Sequence, residues 1–216
     1  LLLHAKLTWQ EVDLLRGYHG YGCQIGHQIG LELTRKVLGA HIQFVSRIAE
    51  LFRVRFDPDS EFTLAERGTR EAELLADATA YLTTVQSFEE DRILRLFLNL
   101  IQATVRTNFY RVREDGEHFI SMKIDCGLVR DLPEPRPLYE IYVHHAHMEG
   151  VHLRGGRVAR GGIRWSDRRD DYRSEVLGLM ATQMLKNTVI VPVGAKGGFV
   201  LKDPVDDWSE ARSRAD

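Results

Sequence analysis

Two short glycine-containing segments carry the residues of this chain that could do chemistry. The first is Arg160–Trp165, with the sequence RGGIRW, and the second is Pro192–Gly198, with the sequence PVGAKGG. Glycine has no β-carbon, so a pair of glycines lets the backbone approach a bound molecule closely. The cations at positions 160 and 196 would attract an acid. The pattern therefore predicts a site for a small acidic molecule.

Lys196 is the best candidate for a reactive group. We expect it to lie in a glycine turn that follows the apolar, strand-like run Val189–Val191. Partial burial at a strand end and nearby cations both favour the neutral amine over the ammonium. Taken alone, the segment Ala195–Gly198 fits an ordinary surface lysine in a glycine turn better than a reactive one. Its combination with the first glycine segment and with Lys186 favours a catalytic role.

A helix is predicted between the two segments. It starts near Asp170, whose carboxylate suits a helix N-terminus, and it runs to Lys186. Gln183 and Lys186 are three residues apart, so they share a helix face and could reach the same carboxylate. A strand at Thr188–Val193 would then return the chain to that end of the helix.

These three elements together resemble the glutamate dehydrogenase family. In that family a Lys/Arg-Gly-Gly segment, a helix with a Gln-x-x-Lys element and a Pro-x-Gly-Ala-Lys-Gly-Gly turn line the amino-acid site. Arg160–Arg169 and Pro192–Phe199 are most similar to the large NAD-specific members. Weaker similarity extends upstream, for example at Trp9–Arg16 and Thr104–Tyr110, and covers most of the chain.

The resemblance implies a role for each side chain on the lysine side of the site. Lys196 would be the catalytic lysine, which polarises the 2-oxo group and stabilises the carbinolamine and iminium transition states. Lys186 and Gln183 would hold the α-carboxylate of the substrate.

The first glycine segment would bind the other end of the substrate. Arg160 occupies the place of a lysine that contacts the distal carboxylate in the shorter glutamate dehydrogenases. A guanidinium is longer and planar and can bind a carboxylate with two hydrogen bonds, so the exchange could change the reach of this contact. Gly161 and Gly162 would supply the close backbone.

By resemblance, the activity is NAD-dependent oxidative deamination of L-glutamate to 2-oxoglutarate and ammonium. The sequence has no Gly-x-Gly-x-x-Gly fingerprint, so the NAD-binding domain is expected beyond Asp216. The proton-transfer aspartate of the family is also expected there, because Asp203, Asp206 and Asp207 follow the lysine too closely. The chain is interpreted as a fragment that is inactive alone and that belongs to a homo-oligomer.

Two other functions stay open. A dehydrogenase for leucine or phenylalanine would share the central lysines but would need an apolar distal pocket, and Arg160 argues against one. A non-catalytic scaffold or regulatory fragment could keep the fold, although the retention of Lys186 and Lys196 argues against it.

Two further clusters of ionisable residues are assigned structural roles. Arg164 and the run Arg168–Asp171 are interpreted as ion pairs at the helix start rather than as substrate contacts. His144, His145 and His147 invite a metal, but no carboxylate or cysteine motif accompanies them and no metal is expected.

Composition fits a soluble globular protein of 216 residues, with 44% hydrophobic and 28% charged residues. A net charge of −2 gives no reason to expect nucleic acid. No apolar run approaches the roughly 20 residues of a membrane span. Cys23 and Cys126 are expected to be reduced thiols in the cytoplasm.

The predicted fold class is α/β (α+β). Residues 1–112 form a helix-rich region, and residues 113–216 form the N-terminal part of a substrate-binding domain, truncated before the Rossmann domain. A capping box is predicted at Thr8, with a packed or broken helix near Gly20–Gly26. The other predicted helices are His41–Arg55, Ala65–Thr84 and Phe88–Arg106, and the predicted strands are Phe119–Ile124, Tyr139–His144 and Met148–Arg154.

Overall fold

The computed structural model of the protein describes residues 1, 4–111, 118–186 and 193–203, with the side chains of 184–186 and 193 outside the described part. Six helices and seven strands lie in these ranges. The helices are α1 Trp9–Gln24, α2 Leu31–Ala40, α3 Ile42–Phe56, α4 Leu64–Leu82, α5 Phe88–Ala103 and α6 Tyr172–Lys186. The strands are β1 Thr104–Thr107, β2 Ile120–Asp125, β3 Tyr139–His144, β4 Met148–Arg154, β5 Ala159–Arg160, β6 Ile163–Trp165 and β7 Val193–Leu201. The α/β class with a helix-rich N-terminal part is confirmed.

The chain forms two compact units. The first contains Leu1–Gly22 and Gln28–Gln102, and the second contains Cys23–His27 and Ala103–Asp216. The predicted division between residues 112 and 113 stays a prediction about the domains of the protein.

The first unit is helical because its helices bury apolar stripes, and two of them, α1 and α4, begin with a capping box. The predicted capping box is confirmed, since the Thr8 amide donates to Glu11 and the Glu11 amide donates to the Thr8 hydroxyl. Gly22 packs against the Leu96 side chain, and Gly26 after the helix end has φ of +102°, so the expected close packing and break are both present. The core is formed by side chains at helical spacing, among them Phe44, Val45, Ile48, Phe52, Ile93, Leu94 and Phe97.

In this half of the chain one helix was missed and one predicted helix end is wrong. Helix α2 was not predicted, although Val37 and Leu38 are buried on one side of it. The helix predicted to reach Arg106 ends at Ala103, and Thr104–Thr107 is an edge strand instead. The β-branched residues at 104, 105 and 107 favour the strand over another helical turn.

The second unit is built on one mixed sheet. The strand order is β1-β2-β3-β4-β7-β5, and β6 also pairs with β7. Strands β1 to β4 and β7 are antiparallel neighbours, whereas β5 and β6 run parallel to β7. The predictions at Tyr139–His144 and Met148–Arg154 are confirmed at both ends.

One face of this sheet is covered by α6. The register places Ile124, Glu140, Leu153 and Lys196 opposite one another on four successive strands, so the four share a face. Tyr172, Val176 and Met180 of α6 are buried. Helix α6 begins two residues after Asp170, as expected.

No helix in the described ranges is both long enough and apolar enough to cross a membrane. Neither Cys23 nor Cys126 forms a disulfide bond in the described structure. Burial raises the pKa of the Cys126 thiol well above its usual value.

Candidate functional site

Lys196 lies in the middle of strand β7, so the prediction of a glycine turn is wrong. The strand extends from Val193 to Leu201, and Lys196 pairs with Leu153 of β4. The strand predicted at Thr188–Val193 falls on residues outside the described part, except for its last residue. The glycines serve a different purpose from a turn, because they allow close packing on both sides of an extended chain.

Gly194 and Gly198 lie two residues to either side of Lys196 and therefore share its face. A β-carbon at Gly194 would lie 3.3 Å from the side-chain amide of Gln183, and one at Gly198 would lie 2.5 Å from Val176 Cγ2. Both partners belong to α6. Lys196 consequently faces α6, half-buried, between two positions where the helix side chains rest directly on the strand backbone.

Gly161 lies where a close approach of two backbones requires glycine. A β-carbon at this position would overlap the Ala195 carbonyl oxygen. Gly162 has open space around it, and its carbonyl oxygen accepts a hydrogen bond from the Gly197 amide at 2.9 Å. The first glycine segment is thereby fastened to the strand that carries Lys196.

Arg160 is brought to the same place by strand pairing. It pairs with Gly194 in the parallel ladder of β5 and β7, and its side chain is exposed. Its Cα therefore lies beside a residue two positions from Lys196. Within the described residues, neither Arg160 nor Lys196 has a carboxylate partner, so the pair leaves positive charge available to an anion.

Gln183 closes the site from the helix side. Its amide packs against Gly194, and its Oε1 is buried without a hydrogen-bond partner among the described residues. Lys186 is the last residue of α6, and its side chain lies outside the described part. The structure thus brings together Lys196, Gln183, Gly161, Gly162 and the backbone of Arg160.

The ion-pair cluster predicted at the start of α6 is confirmed. Arg164 Nη2 lies 3.3 Å from Glu175 Oε1, and the buried Ser166 hydroxyl donates to Glu175 Oε2 at 2.6 Å. Arg168 forms a salt bridge with Asp171 and holds the pKa of that carboxyl below its usual value. These contacts connect the residues after Gly162 to the first turns of α6.

A buried polar layer between α6 and the sheet was missed by sequence reasoning. Glu140 forms a buried ion pair with Arg173, and Glu149 lies 3.0 Å from Lys202 and 3.8 Å from His144. A signal for the first acid was present, because Glu140 occupies an inward position of an alternating strand. Its partner could not be found from spacing.

Glu149 is the most perturbed acid of this layer. Burial by itself would raise the pKa of this carboxyl, but contacts with His144, Lys202 and Tyr142 outweigh burial and lower it to about 2. The carboxylate therefore stays charged inside the protein and belongs to the framework of the sheet.

The three histidines do not converge on a common point. His144 is buried beside Glu149, whereas His147 Nδ1 lies 2.9 Å from Asp203 with the His145 ring 5.5 Å away. Among the described residues, no group of three or more His, Cys, Asp or Glu side chains is arranged to hold a metal ion.

Comparison with known families assigns both parts of the chain. The family model "Bacterial NAD-glutamate dehydrogenase, catalytic domain" matches residues 77–215, and the model "Glutamate dehydrogenase, helical motif 3" matches residues 1–58. The chain belongs to the bacterial NAD-glutamate dehydrogenase family. The residues of the candidate site all lie in the catalytic-domain match.

Curated relatives carry the same family name. The chain is 45% identical over 207 residues to the NAD-specific glutamate dehydrogenase of Mycobacterium tuberculosis, covering 94% of this chain and 13% of that protein. It is 46% identical over 202 residues to the enzyme of that name from Pseudomonas aeruginosa, covering 93% and 12%. The Neurospora crassa protein of that name is 28% identical over 187 residues, covering 78% and 17%. The chain spans about an eighth of the length of the bacterial relatives.

Proposed function

We propose that the protein to which this chain belongs catalyses oxidative deamination of L-glutamate to 2-oxoglutarate and ammonium with NAD⁺, and that this chain supplies the substrate site. The observation that carries the proposal is the position of Lys196, half-buried between Gly194 and Gly198 and opposite Gln183. The family membership supports the reaction, since the bacterial relatives are named NAD-specific glutamate dehydrogenases.

The proposed roles follow from the chemistry of each side chain. Lys196 polarises the 2-oxo group and stabilises the carbinolamine and iminium transition states. Gln183 and Lys186 hold the α-carboxylate at the end of α6. The exposed guanidinium of Arg160 binds the distal carboxylate, where its planar fork can donate two parallel hydrogen bonds.

Gly161 and Gly162 keep the first glycine segment close to β7. Arg160 and Lys196 can then hold the two ends of one small substrate. The close approach of Gly161 to the Ala195 carbonyl supports this role. A side chain at position 161 would separate β5 from β7 and would move Arg160 away from Lys196.

NAD⁺ would supply the hydride acceptor when bound. The sequence has no Gly-x-Gly-x-x-Gly fingerprint of a dinucleotide site. We place the NAD site and the proton-transfer aspartate in other parts of the full-length protein. The work of this chain is to bind and orient the amino acid and to place Lys196 at its reacting carbon.

The substrate assignment can be tested with the full-length protein by measuring NADH formation with glutamate and with leucine. We expect turnover of glutamate and a much weaker reaction with leucine. Arg160→Leu should raise KM for glutamate by about 10- to 100-fold, the loss of one charge-assisted contact pair, and should narrow the difference between the two substrates.

Two outcomes would contradict this assignment. Preference for leucine in the wild type would assign the site to another amino acid. If the wild type does not reduce NAD⁺ with any amino acid, the protein would be a non-catalytic scaffold. Arg67→Leu is the matched control, because Arg67 belongs to α4 in the other unit.

We further propose that the full-length protein is a cytoplasmic homo-oligomer. Sedimentation of the purified full-length protein tests the oligomer, and a single species with the mass of one polypeptide would contradict it.

A further inference from the structure

Two oppositely charged side chains lie completely buried between α6 and the sheet, on the same sheet face as Lys196. Arg173, in the first turn of α6, is 1% exposed, and Glu140, on β3, is 0% exposed. Arg173 Nε donates to Glu140 Oε2 at 2.9 Å, and Arg173 Nη2 donates to Glu140 Oε1. The guanidinium and the carboxylate are therefore joined in a planar, bidentate geometry that fixes both distance and orientation.

The same end of α6 has a second attachment through Gln24. Gln24 Nε2 donates to the carbonyl oxygens of Arg169 at 3.0 Å and Asp170 at 3.3 Å. Its Oε1 accepts a hydrogen bond from the Arg173 amide at 3.3 Å. The side chain thus binds the turn before the helix and one of the free amides of its first turn. The start of α6 is therefore held by Glu140 through the Arg173 side chain and by Gln24 through the backbone on both sides of the helix start.

Stability alone gives little reason for such a pair. Removing two charges from water is costly, and buried ion pairs can often be replaced by apolar side chains of similar volume without loss of stability. An apolar contact, however, tolerates sliding and rotation. A bidentate ion pair specifies one position of the helix on the sheet.

The position of α6 matters because Lys196 lies in the same cross-strand row as Glu140. Glu140 is opposite Leu153, and Leu153 is opposite Lys196. Glu140 is therefore two strand spacings, about 10 Å, from Lys196 on the face that α6 covers.

Helix α6 links this attachment to the candidate site. Gln183 is ten residues after Arg173, about 15 Å along the helix. A tilt of about 5° at the Arg173 end would displace Gln183 by about 1 Å, and a misplacement of that size can cost about 100-fold in rate.

We infer that the Glu140–Arg173 ion pair, assisted by Gln24, is a positioning device that sets the placement of Gln183 over Gly194 and hence the geometry of the substrate site around Lys196. The inference rests on the proposed function. Glu140 and Arg173 are positioning residues, since they act through α6 and not by contact with the substrate.

The test uses the full-length protein and two variants of the pair. Glu140→Met combined with Arg173→Met keeps the volume and removes the charges. Arg173→Lys keeps the charge and loses the bidentate fork. Glu50→Met with Arg70→Met is the matched control, because it removes an ion pair that is about two-fifths exposed in the helical unit. Steady-state KM for glutamate, KM for NAD⁺, kcat and the thermal midpoint are measured for each.

We expect the Met/Met variant to unfold within a few degrees of the wild type. Its KM for glutamate should rise at least tenfold, while its KM for NAD⁺ stays within about twofold of the wild-type value. Arg173→Lys should show a smaller rise in the same constant, and the control should match the wild type. A loss of folded protein would lower kcat without this selective change in KM.

Each alternative outcome is decisive. A folded variant of either kind with the wild-type KM for glutamate would overturn the inference and leave the proposed function intact. Loss of the fold in both variants would identify the pair as a stabilising element and would also overturn it. A wild-type protein that does not turn over glutamate would overturn the proposed function, and the inference with it.

Discussion

At the scale of single residues, the candidate site depends on where side chains are missing. Gly194 and Gly198 flank Lys196 on one face of β7, and Gly161 passes against the Ala195 carbonyl. A β-carbon would overlap the neighbouring atoms at Gly161 and Gly198 and would crowd the Gln183 amide at Gly194. Bare backbone therefore lets α6 and the first glycine segment pack closely against the strand that carries Lys196.

The pH dependence of stability tests the state of the buried Glu149 carboxylate. Its folded pKa of about 2 is below the ordinary glutamate value of 4.5, so its carboxylate stabilises the folded state above pH 4.5. That stabilisation is lost as pH falls from 4.5 towards 2. By linkage it amounts to at most about 3 kcal/mol. Glu149→Gln lacks this stabilisation at every pH. The thermal midpoint of the wild type should therefore fall towards that of the variant as the pH falls from 5 to 3.

The matched control is Glu32→Gln, because Glu32 is an exposed acid of α2 with a long ion pair to Arg35. Thermal unfolding of the full-length proteins at several pH values gives the comparison. A constant difference between Glu149→Gln and wild type across this pH range would show that Glu149 titrates normally.

The residues of the site were predictable in type but not in arrangement. Arg160, Gln183 and Lys196 stand out because glycines or a second polar residue accompany them at short spacing. Their assembly depends on the parallel pairing of β5 with β7, which no local pattern specifies. The Glu140–Arg173 pair is invisible for the same reason, since strand register and helix docking bring together residues 33 positions apart.

At the scale of elements, the contact between α6 and β7 determines the site. Val176 of α6 rests on Gly198, and Gln183, seven residues later on the same helix face, rests on Gly194. Two glycines therefore set the separation of the helix from the strand.

Gly198→Ala tests this separation. The new β-carbon would lie 2.5 Å from Val176 Cγ2, so the helix must move away from the strand. We expect a loss of about 1–3 kcal/mol in stability, as for overpacked cores, and a clear loss of glutamate turnover. Adding Val176→Ala removes the clashing methyl groups and should restore part of both.

Gly68→Ala is the control, because nothing lies near a β-carbon at that position of α4. It should leave both glutamate turnover and the thermal midpoint unchanged. No rescue by Val176→Ala would show that another contact of Gly198 sets the spacing.

Strand β3 was predicted to the residue because its side chains alternate strictly between buried and partly exposed, and β4, which alternates less regularly, pairs with it along its whole length. Strand β7 was not, because three of its nine residues are glycine and glycines favour a turn in sequence reasoning. Its extended form depends on pairing with β4, β5 and β6 and on packing against α6. The apolar pattern up to Ile101 likewise led to a predicted helix that is longer than α5, which ends at Ala103.

At the scale of the whole molecule, this chain spans about an eighth of its bacterial relatives. The proposed reaction also needs a dinucleotide site and a proton-transfer group, which we place in other parts of the full-length protein. The substrate site and the remaining catalytic parts are therefore expected to meet only in the full-length protein.

The isolated 216-residue chain should consequently form no NADH from glutamate and NAD⁺. The measurement is absorbance of NADH with the isolated chain at concentrations at which the full-length protein is active. Accumulation of NADH would show that the chain holds a complete active site.

The central claim is that Lys196 is the catalytic lysine of a glutamate-oxidising site. The most direct test is glutamate-dependent NADH formation by full-length wild type, Lys196→Ala and Lys36→Ala, the last an exposed lysine of α2. We predict a loss of at least 1,000-fold in kcat for Lys196→Ala, about 4 kcal/mol of transition-state stabilisation, and wild-type activity for Lys36→Ala. Glutamate turnover that survives Lys196→Ala with an unchanged fold would contradict the account.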